Sequence, residues 1–305
     1  MPRITHETIT IDPNEIQAEW RRKAPEPFDI QVTTIHDEAE SNERSHTLLQ
    51  MGMGNEGLRV RTVAAARLGE LGVQGVTIID ALPFWKLAPS QENLMAGSAQ
   101  MVGRVAEHIK AQHEFETLHA IGESQGSVAI LENMRAADSP LNGRLGLVHP
   151  LGLTPDILTV PRFFTRMAQT AAQNDPELVA TVVGAHASQR AMGDLLRTGG
   201  QQIKAAVGYD GTPAVSEIID AGQSVAVFTG ADDKLFPPQE VEQHLEKSGI
   251  QGYVLEIGEG PHASIATRVG AQLAARACYW TQTGLLLPEH AFAEGASVQL
   301  SEATV

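Results

Sequence analysis

A serine between two glycines is the residue of this sequence with the clearest capacity for chemistry. Ser124 lies in Gly122-Glu123-Ser124-Gln125-Gly126, after the apolar segment Leu118 to Ile121 and at the start of the apolar run Gln125 to Leu131. Glycines two residues before and two residues after a serine permit a tight strand-to-helix turn that exposes the hydroxyl at a helix N-terminus. Because a serine hydroxyl is a poor nucleophile near neutral pH, this chemistry also needs a histidine base and an acid that orients it.

Two later loops contain residues of the required types. The apolar segment Val225 to Thr229 leads into a loop with Asp232 and Asp233, and the segment Tyr253 to Ile257 leads into a glycine-rich loop with His262. The carboxyl ends of parallel strands meet at one edge of a sheet, where α/β folds bind their ligands. The order serine, aspartate, histidine, each after a strand, therefore predicts a catalytic triad at that edge.

The elements that would position these residues alternate between strand and helix. From His46 onward, apolar runs of four to six residues alternate with amphipathic helical segments, the pattern of a mostly parallel α/β sheet. The predicted strands are Thr47 to Met51, Val76 to Asp80, Leu118 to Ile121, Leu145 to His149, Val225 to Thr229 and Tyr253 to Ile257. The predicted helices contain Val60 to Leu71 with a stop at Gly72, Met101 to Ile109, Pro237 to Ser248, and Ile265 to Trp280. We expect these helices to cover both faces of the sheet.

Three stretches depart from this alternation. Residues 1–45 are polar, with two β-like pieces at Ile4 to Ile11 and Phe28 to His36. The stretch from Gly152 to Val215 predicts successive helices, either a lid over the carboxyl edge of the sheet or two additional packing helices. We therefore expect a discontinuous core of residues 1–151 and 216–280, a helical cap of residues 152–215 and a C-terminal tail of residues 281–305.

In these motifs, over roughly His46 to Trp280, the chain resembles the α/β-hydrolase superfamily. Members commonly carry an acid loop of the form Gly-x-x-Asp followed by a hydrophobic residue and proline, which Gly230 and Asp233 match here. The resemblance implies an α/β-hydrolase fold with an inserted cap. It also implies that Ser124 is the nucleophile, that Asp233 is the acid, with Asp232 as the second choice, and that His262 is the base.

The resemblance also implies an oxyanion hole made by the backbone N–H groups of Gln125 and Met53. Two departures from the common pattern are Pro261, where glycine usually precedes the histidine, and Gln50-Met51-Gly52-Met53, where many members have His-Gly. A backbone donor does not depend on side-chain identity. The second departure therefore weakens the match to the family motif more than it affects the mechanism.

The same loop supports an alternative function of another class, that of a dinucleotide-binding oxidoreductase. Gly52 to Gly57 matches the dinucleotide-binding pattern G-x-G-x-x-G between a predicted strand and helix, and Asp80 lies at the spacing of a ribose-binding acid. The hydrolase interpretation explains the same elements and also Ser124, Asp233 and His262. A zinc site is not predicted, since His113 and His119 are six residues apart and do not share a helical face.

Composition favours a large soluble domain without nucleic-acid or membrane partners. The chain has 305 residues, 42% of them hydrophobic, and a formal net charge of −15, which disfavours binding to polyanions. Cys278 is the only cysteine of the sequence, so neither an intrachain disulfide nor a cysteine metal cluster is expected. The N-terminus lacks the pattern of a secretory signal, and no run approaches the roughly 18 apolar residues of a membrane span, which favours a cytoplasmic protein.

The predicted activity is hydrolysis of an ester or thioester of a small, partly apolar carbonyl compound through an acyl-enzyme, without a cofactor. Acyl transfer, C–C bond hydrolysis and cofactor-free haloperoxidation use the same triad and stay open. A noncatalytic hydrolase-like binding protein also stays open. Phe163, Phe164 and Met167 in the predicted cap are candidates for apolar contacts with the small-molecule substrate, or for packing within the cap.

Overall fold

An eight-stranded sheet forms the centre of the molecule. The computed structural model describes residues 2–20, 26–36, 45–52, 57–80, 82, 86–88, 90–113, 115–154, 160–173, 208–288 and 291–292. The strands are β1 (Ile4–Ile11), β2 (Phe28–Ile35), β3 (Ser45–Gln50), β4 (Val76–Ile79), β5 (Thr117–Glu123), β6 (Leu145–Val148), β7 (Val225–Gly230) and β8 (Tyr253–Gly258). Each strand predicted from the apolar pattern is present, with ends shifted by at most two residues.

The sheet order is β1-β2-β4-β3-β5-β6-β7-β8, and most of its pairs are parallel. β1 pairs with β2 and β2 pairs with β4 in antiparallel fashion. The pairs from β4 through β3, β5, β6 and β7 to β8 are parallel. The carboxyl ends of β3 and β5 to β8 therefore meet at one edge, as the sequence predicted.

Helices cover both faces of the sheet. They are α1 (Leu58–Glu70), α2 (Gln91–His113), α3 (Gly126–Met134), α4 (Val160–Gln173), α5 (Thr212–Asp220), α6 (Pro238–Lys247) and α7 (Arg268–Thr283). One apolar cluster contains side chains of α2, α3, α5 and α6, such as Val105 and Val128. The other cluster contains those of α1 and α7, such as Ala64 and Leu273. This two-sided burial explains why the parallel strands β4, β6 and β7 are mostly apolar.

The last helix differs from its predicted extent at both ends. Ile265, counted with the helix from its apolar spacing, precedes α7, because the side chain of Thr267 caps the helix by accepting the N–H of Gly270. At the other end α7 continues to Thr283, three residues past the expected end of the core at residue 280, and stops at Gly284 with φ of +78°.

Most of the expected cap lies outside the described residues. Within it, α4 is described, and α5 runs across the boundary expected at residue 215. Ala214, Val215 and Ile218 of α5 are buried in the same apolar cluster as α3. α5 therefore packs with the helices that cover this face of the sheet. Within the part of the chain that the structure describes, no helix has the length and apolarity needed to cross a membrane.

Two buried histidines in the sheet predict that acid destabilises the fold. Burial lowers the pKa of His46 in β3 to about 3 and that of His119 in β5 to about 4. The unfolded chain binds these protons below about pH 6.5 and the folded chain does not, so stability is full above that pH and declines as the pH falls towards 4. We expect each histidine to cost about 2–3 kcal/mol of unfolding free energy at pH 4, measured by urea unfolding across this range.

His119→Asn isolates one of these contributions. His119 Nδ1 accepts the backbone N–H of Arg144 at 2.9 Å, and an asparagine carbonyl oxygen can take the same place without titrating. The variant should therefore lose less stability than wild type between pH 7 and pH 4, while the two curves run parallel above pH 7. Equal losses at pH 4 would contradict the prediction.

Candidate active site

Ser124 occupies a strained turn between β5 and α3. Its φ is +51°, which is uncommon for a residue with a side chain. A Cβ added at Gly122 would lie 2.4 Å from Ser127 Cα, and one at Gly126 would lie 2.4 Å from the carbonyl oxygen of Gln50. Both glycines are therefore required by close backbone contacts, which is the role the sequence predicted for them.

The end of β6 and the residues that follow it hold the backbone of this turn. The N–H of Ser124 donates to the carbonyl of Val148 at 2.9 Å, and the carbonyl of Ser124 accepts the N–H of Leu151 at 3.2 Å. Ser127 donates its hydroxyl to the carbonyl of Gly122 at 2.9 Å. These bonds compensate the unfavourable φ of Ser124 and fix the direction in which its side chain leaves the sheet.

The loop after β7 buries Asp233 and leaves Asp232 exposed. Asp233 Oδ1 accepts the backbone N–H groups of Leu235 and Phe236, both at 2.8 Å. Asp233 Oδ2 accepts Nδ1–H of His262 at 3.0 Å and Nδ1–H of His149 at 2.8 Å. Burial alone would raise the pKa of the Asp233 carboxyl, but the charge of His262 and these hydrogen bonds hold it well below its usual range. Asp233 is thus an ionised, fully bonded carboxylate.

His262 is oriented by this carboxylate. Because Nδ1 faces Asp233, Nε2 is the nitrogen left for a reacting group. Burial alone would lower the pKa of His262, but the charge and hydrogen bond of Asp233, together with the charge of Glu123, raise it. The arrangement therefore favours proton uptake by His262.

Glu123 connects three loops of the site. Its side chain is buried, with Oε2 accepting the N–H of Gly52 at 3.0 Å and Oε1 accepting the N–H of Ile265 at 3.2 Å. Gly52 follows β3 and Ile265 follows His262, so one carboxylate joins the loop after β3, the serine turn and the histidine loop. From sequence, no role was assigned to Glu123; the available signal was a charged residue at the end of an otherwise apolar strand.

The described structure is similar to several solved enzyme structures. Carboxylesterase CesB from Bacillus subtilis matches with a TM-score of 0.55 at 12% identity, over 92% of this chain and 93% of that chain. The peroxisomal α/β-hydrolase Lpx1 from Saccharomyces cerevisiae matches with a TM-score of 0.55 at 17% identity, over 95% and 92%. The serine hydrolase CCSP0084 from Cycloclasticus zankles matches with a TM-score of 0.55 at 14% identity, over 88% and 95%. The sequence matches no protein-family model and no curated protein.

The chain has the α/β-hydrolase fold. The resemblance noted from the sequence motifs is thereby confirmed at the level of the fold. In this hydrolase fold Ser124 follows the central strand β5, Asp233 follows β7 and His262 follows β8. The structure brings Asp233 and His262 into direct contact, and Glu123 joins the serine turn to the histidine loop.

The loop after β3 lies directly against the serine of the hydrolase fold. A Cβ added at Gly52 would lie 2.9 Å from Ser124 Cβ and 3.5 Å from Ser124 Oγ. Met53, one of the two predicted oxyanion donors, lies outside the described residues. Gln125, the other, lies at the N-terminal end of α3, where backbone N–H groups have no acceptor within the helix.

The three predicted substrate-contacting residues lie on α4. Phe163 is buried in the apolar cluster of α2, α3, α5 and α6, and the side chains of Phe164 and Met167 lie outside the described residues. The structure instead shows how α4 is held. Arg166 makes a two-pronged ion pair with Glu240 of α6, at 2.8 and 2.7 Å, and donates to the carbonyl of Leu235 at 3.3 Å. α4 is thus anchored to the loop that contains Asp233.

The acid of the alternative dinucleotide pattern is engaged within the protein. Asp80 accepts the N–H of Gly57 at the start of α1, at 3.1 and 3.3 Å, and is paired with the buried guanidinium of Arg61. An anionic group at a helix N-terminus is a common stabilising contact. The carboxylate that the pattern would assign to a ribose therefore supports the β3–α1 connection.

Proposed function

We propose that this protein is a serine hydrolase that cleaves an ester or thioester of a small, partly apolar carbonyl compound through an acyl-enzyme. The observation that carries the proposal is the hydrogen bond from His262 Nδ1 to the buried carboxylate of Asp233, beside a serine in a strained turn of the same sheet edge. A serine, a histidine and an aspartate in this relation are the parts that activated-serine chemistry needs.

The proposed reaction has two stages. His262 Nε2 takes the proton of Ser124 as Oγ attacks the substrate carbonyl, and the resulting tetrahedral oxyanion is bound by the backbone N–H groups of Gln125 and Met53. His262 then returns the proton to the leaving alcohol or thiol, which leaves an acyl-Ser124. Water, deprotonated by His262, releases the acid and restores the free serine.

The buried carboxylates support the charge that this reaction develops on His262. Asp233 is ionised and in direct contact with His262, and Glu123 adds a second negative charge that acts on His262. Both stabilise the imidazolium that forms when Ser124 is deprotonated. The four hydrogen bonds on Asp233 hold it in place before the reaction, so little reorganisation is needed when the charge appears.

Two observations support an ester-like substrate. The similar structures include a carboxylesterase and a serine hydrolase. A serine at the nucleophile position also differs from the aspartate that epoxide hydrolases and haloalkane dehalogenases of this fold use. Hydrolysis of an activated acyl compound is the reaction that both features favour.

Fluorophosphonate labelling of the purified wild-type protein tests the proposal. The reagent phosphonylates only an activated serine, and we expect a single adduct in the tryptic peptide spanning residues 111–135. This peptide contains both Ser124 and Ser127, so fragment masses must assign the adduct to Ser124. Short-chain p-nitrophenyl esters and thioesters should slow the labelling in competition. An unmodified, folded protein, or an adduct at Ser127, would contradict the proposed mechanism.

A further inference from the structure

His149 makes an unusual contact with the acid of the site. It directly follows β6 with φ of +47°, and its side chain is buried. Its Nδ1–H donates to Asp233 Oδ2 at 2.8 Å, the same oxygen that accepts Nδ1–H of His262 at 3.0 Å. The two imidazole rings lie 4.7 Å apart between centroids. One carboxylate oxygen therefore serves two histidines, where the proposed triad needs only one.

The backbone around His149 also holds the nucleophile. Val148 accepts the N–H of Ser124, and Leu151 donates to the carbonyl of Ser124. The N–H of His149 itself donates to the carbonyl of Phe228 in β7 at 2.8 Å. The short segment 148–151 thus bonds to the serine turn through its backbone and to the aspartate loop through the His149 side chain.

We propose that His149 is a positioning residue that holds Asp233 Oδ2 in line with His262 and fixes the aspartate relative to the serine turn. The proposal rests on the proposed function for its catalytic consequence. His149 lies outside the Ser124, Asp233 and His262 set. It provides a second connection between the acid and the nucleophile, besides His262.

Because the two histidines share one oxygen of Asp233, replacing His149 should change the pKa of His262 in a predictable direction. Burial lowers the pKa of His149 in spite of the Asp233 carboxylate, so His149 is a neutral donor with its proton on Nδ1. A neutral second donor takes up part of the negative charge that would otherwise attract a proton to His262. Among the residues that the structure describes, the charges of Asp233 after β7 and Glu123 at the end of β5 raise the pKa of His262, and the ring of His149 after β6 lies beside it. Removing only the donor of His149 should therefore raise the pKa of His262.

Two variants at position 149 separate the effect of losing the hydrogen-bond donor from any effect on the backbone. His149→Asn places an amide N–H₂ where Nδ1–H lies, and His149→Gly removes the donor. Asparagine and glycine both tolerate a positive φ, so neither adds strain to the backbone at this position. Both variants remove the imidazole ring, and glycine also removes the rest of the side chain. Their melting temperatures establish that each is folded before the site is measured.

The first readout is independent of catalysis. Protein labelled with ¹⁵N-histidine is titrated between pH 5 and pH 9, with the ring signals of His149 assigned by their loss in its variants and those of His262 by their loss in His262→Gln. We expect wild-type His149 to stay in the Nδ1–H form throughout, and the midpoint of His262 to rise in His149→Gly but remain near wild type in His149→Asn. An unchanged midpoint in folded His149→Gly, or equal shifts in both variants, would overturn the proposal.

The second readout is the rate of fluorophosphonate labelling against pH. In His149→Gly we expect the rate at pH 6.5 to fall by roughly 10- to 100-fold, with a smaller loss at pH 8.5, because less His262 is neutral at the lower pH. His149→Asn should recover most of this loss. Equal rates in wild type and His149→Gly would overturn the role of His149. Absence of labelling in wild type would overturn the serine-hydrolase function, while the NMR titration would still decide the contact.

Discussion

Replacement of Asp233 by asparagine is expected to lower kcat/KM for an activated ester by about 10⁴-fold. The backbone N–H groups of Leu235 and Phe236 require an acceptor, so the amide oxygen of the new side chain must face them. Its N–H₂ then faces Nδ1 of His149 and His262, and His262 must accept there instead of donating. The ring proton of His262 then lies on Nε2, so Nε2 can no longer take the proton of Ser124. Initial rates with p-nitrophenyl butyrate measure the effect.

Asp232→Asn is the matched control for this variant. The neighbouring residue carries the same side chain in the same loop but is exposed. We expect its rate to lie within about twofold of wild type, since exposed side chains seldom contribute measurably. If Asp232→Asn lost more activity than Asp233→Asn, the assignment of the acid would be wrong.

Replacement of Ser124 by alanine is expected to remove the acyl-enzyme route and lower kcat by about 10⁶-fold, which leaves only the contribution of binding and the oxyanion hole. Serine and alanine face the same strain at φ of +51°, so the backbone of the turn should be retained. Hydrolysis of p-nitrophenyl butyrate and fluorophosphonate labelling measure the loss, and a melting curve verifies folding. Labelling of folded Ser124→Ala at wild-type rate would show that another residue is the nucleophile.

Ser127→Ala is the control within the same turn. Its hydroxyl donates to the carbonyl of Gly122, so its removal should lower the unfolding free energy by about 1 kcal/mol while labelling at Ser124 persists. The double variant Ser124→Ala/Asp233→Asn gives a further test of the shared mechanism. Because residues that act as one unit are not additive, it should be no slower than Ser124→Ala alone. A further large loss in the double variant would show that Asp233 acts independently of Ser124.

The positions of the central strands could be predicted from local patterns because these strands are short runs buried on both faces. Thr47 to Met51 and Val225 to Thr229 carry this pattern in their own residues, and turn residues mark their ends. Helix boundaries were less predictable. The start of α7 was placed too early because Ile265 has helical spacing, whereas the cap made by Thr267 decided where the helix begins.

The positions of the candidate site residues after strand ends were predictable from residue type and local pattern. Ser124 between glycines, Asp233 and His262 each follow a strand, and parallel strands bring such positions to one edge. The choice of Asp233 over Asp232 came from the resemblance to a known loop pattern. The structure places Asp233 against His262 and leaves Asp232 exposed to solvent.

Local sequence thus determined which elements form and which side chains reach the carboxyl edge, because hydrophobic period and turn chemistry act over a few residues. The tertiary structure decided the contacts between distant side chains. His149 and Asp233 are 84 residues apart in the chain, and Glu123 reaches Gly52 across 71 residues and Ile265 across 142. No periodicity encodes such pairs, since each requires two loops to be placed within about 3 Å by the packing of whole strands and helices.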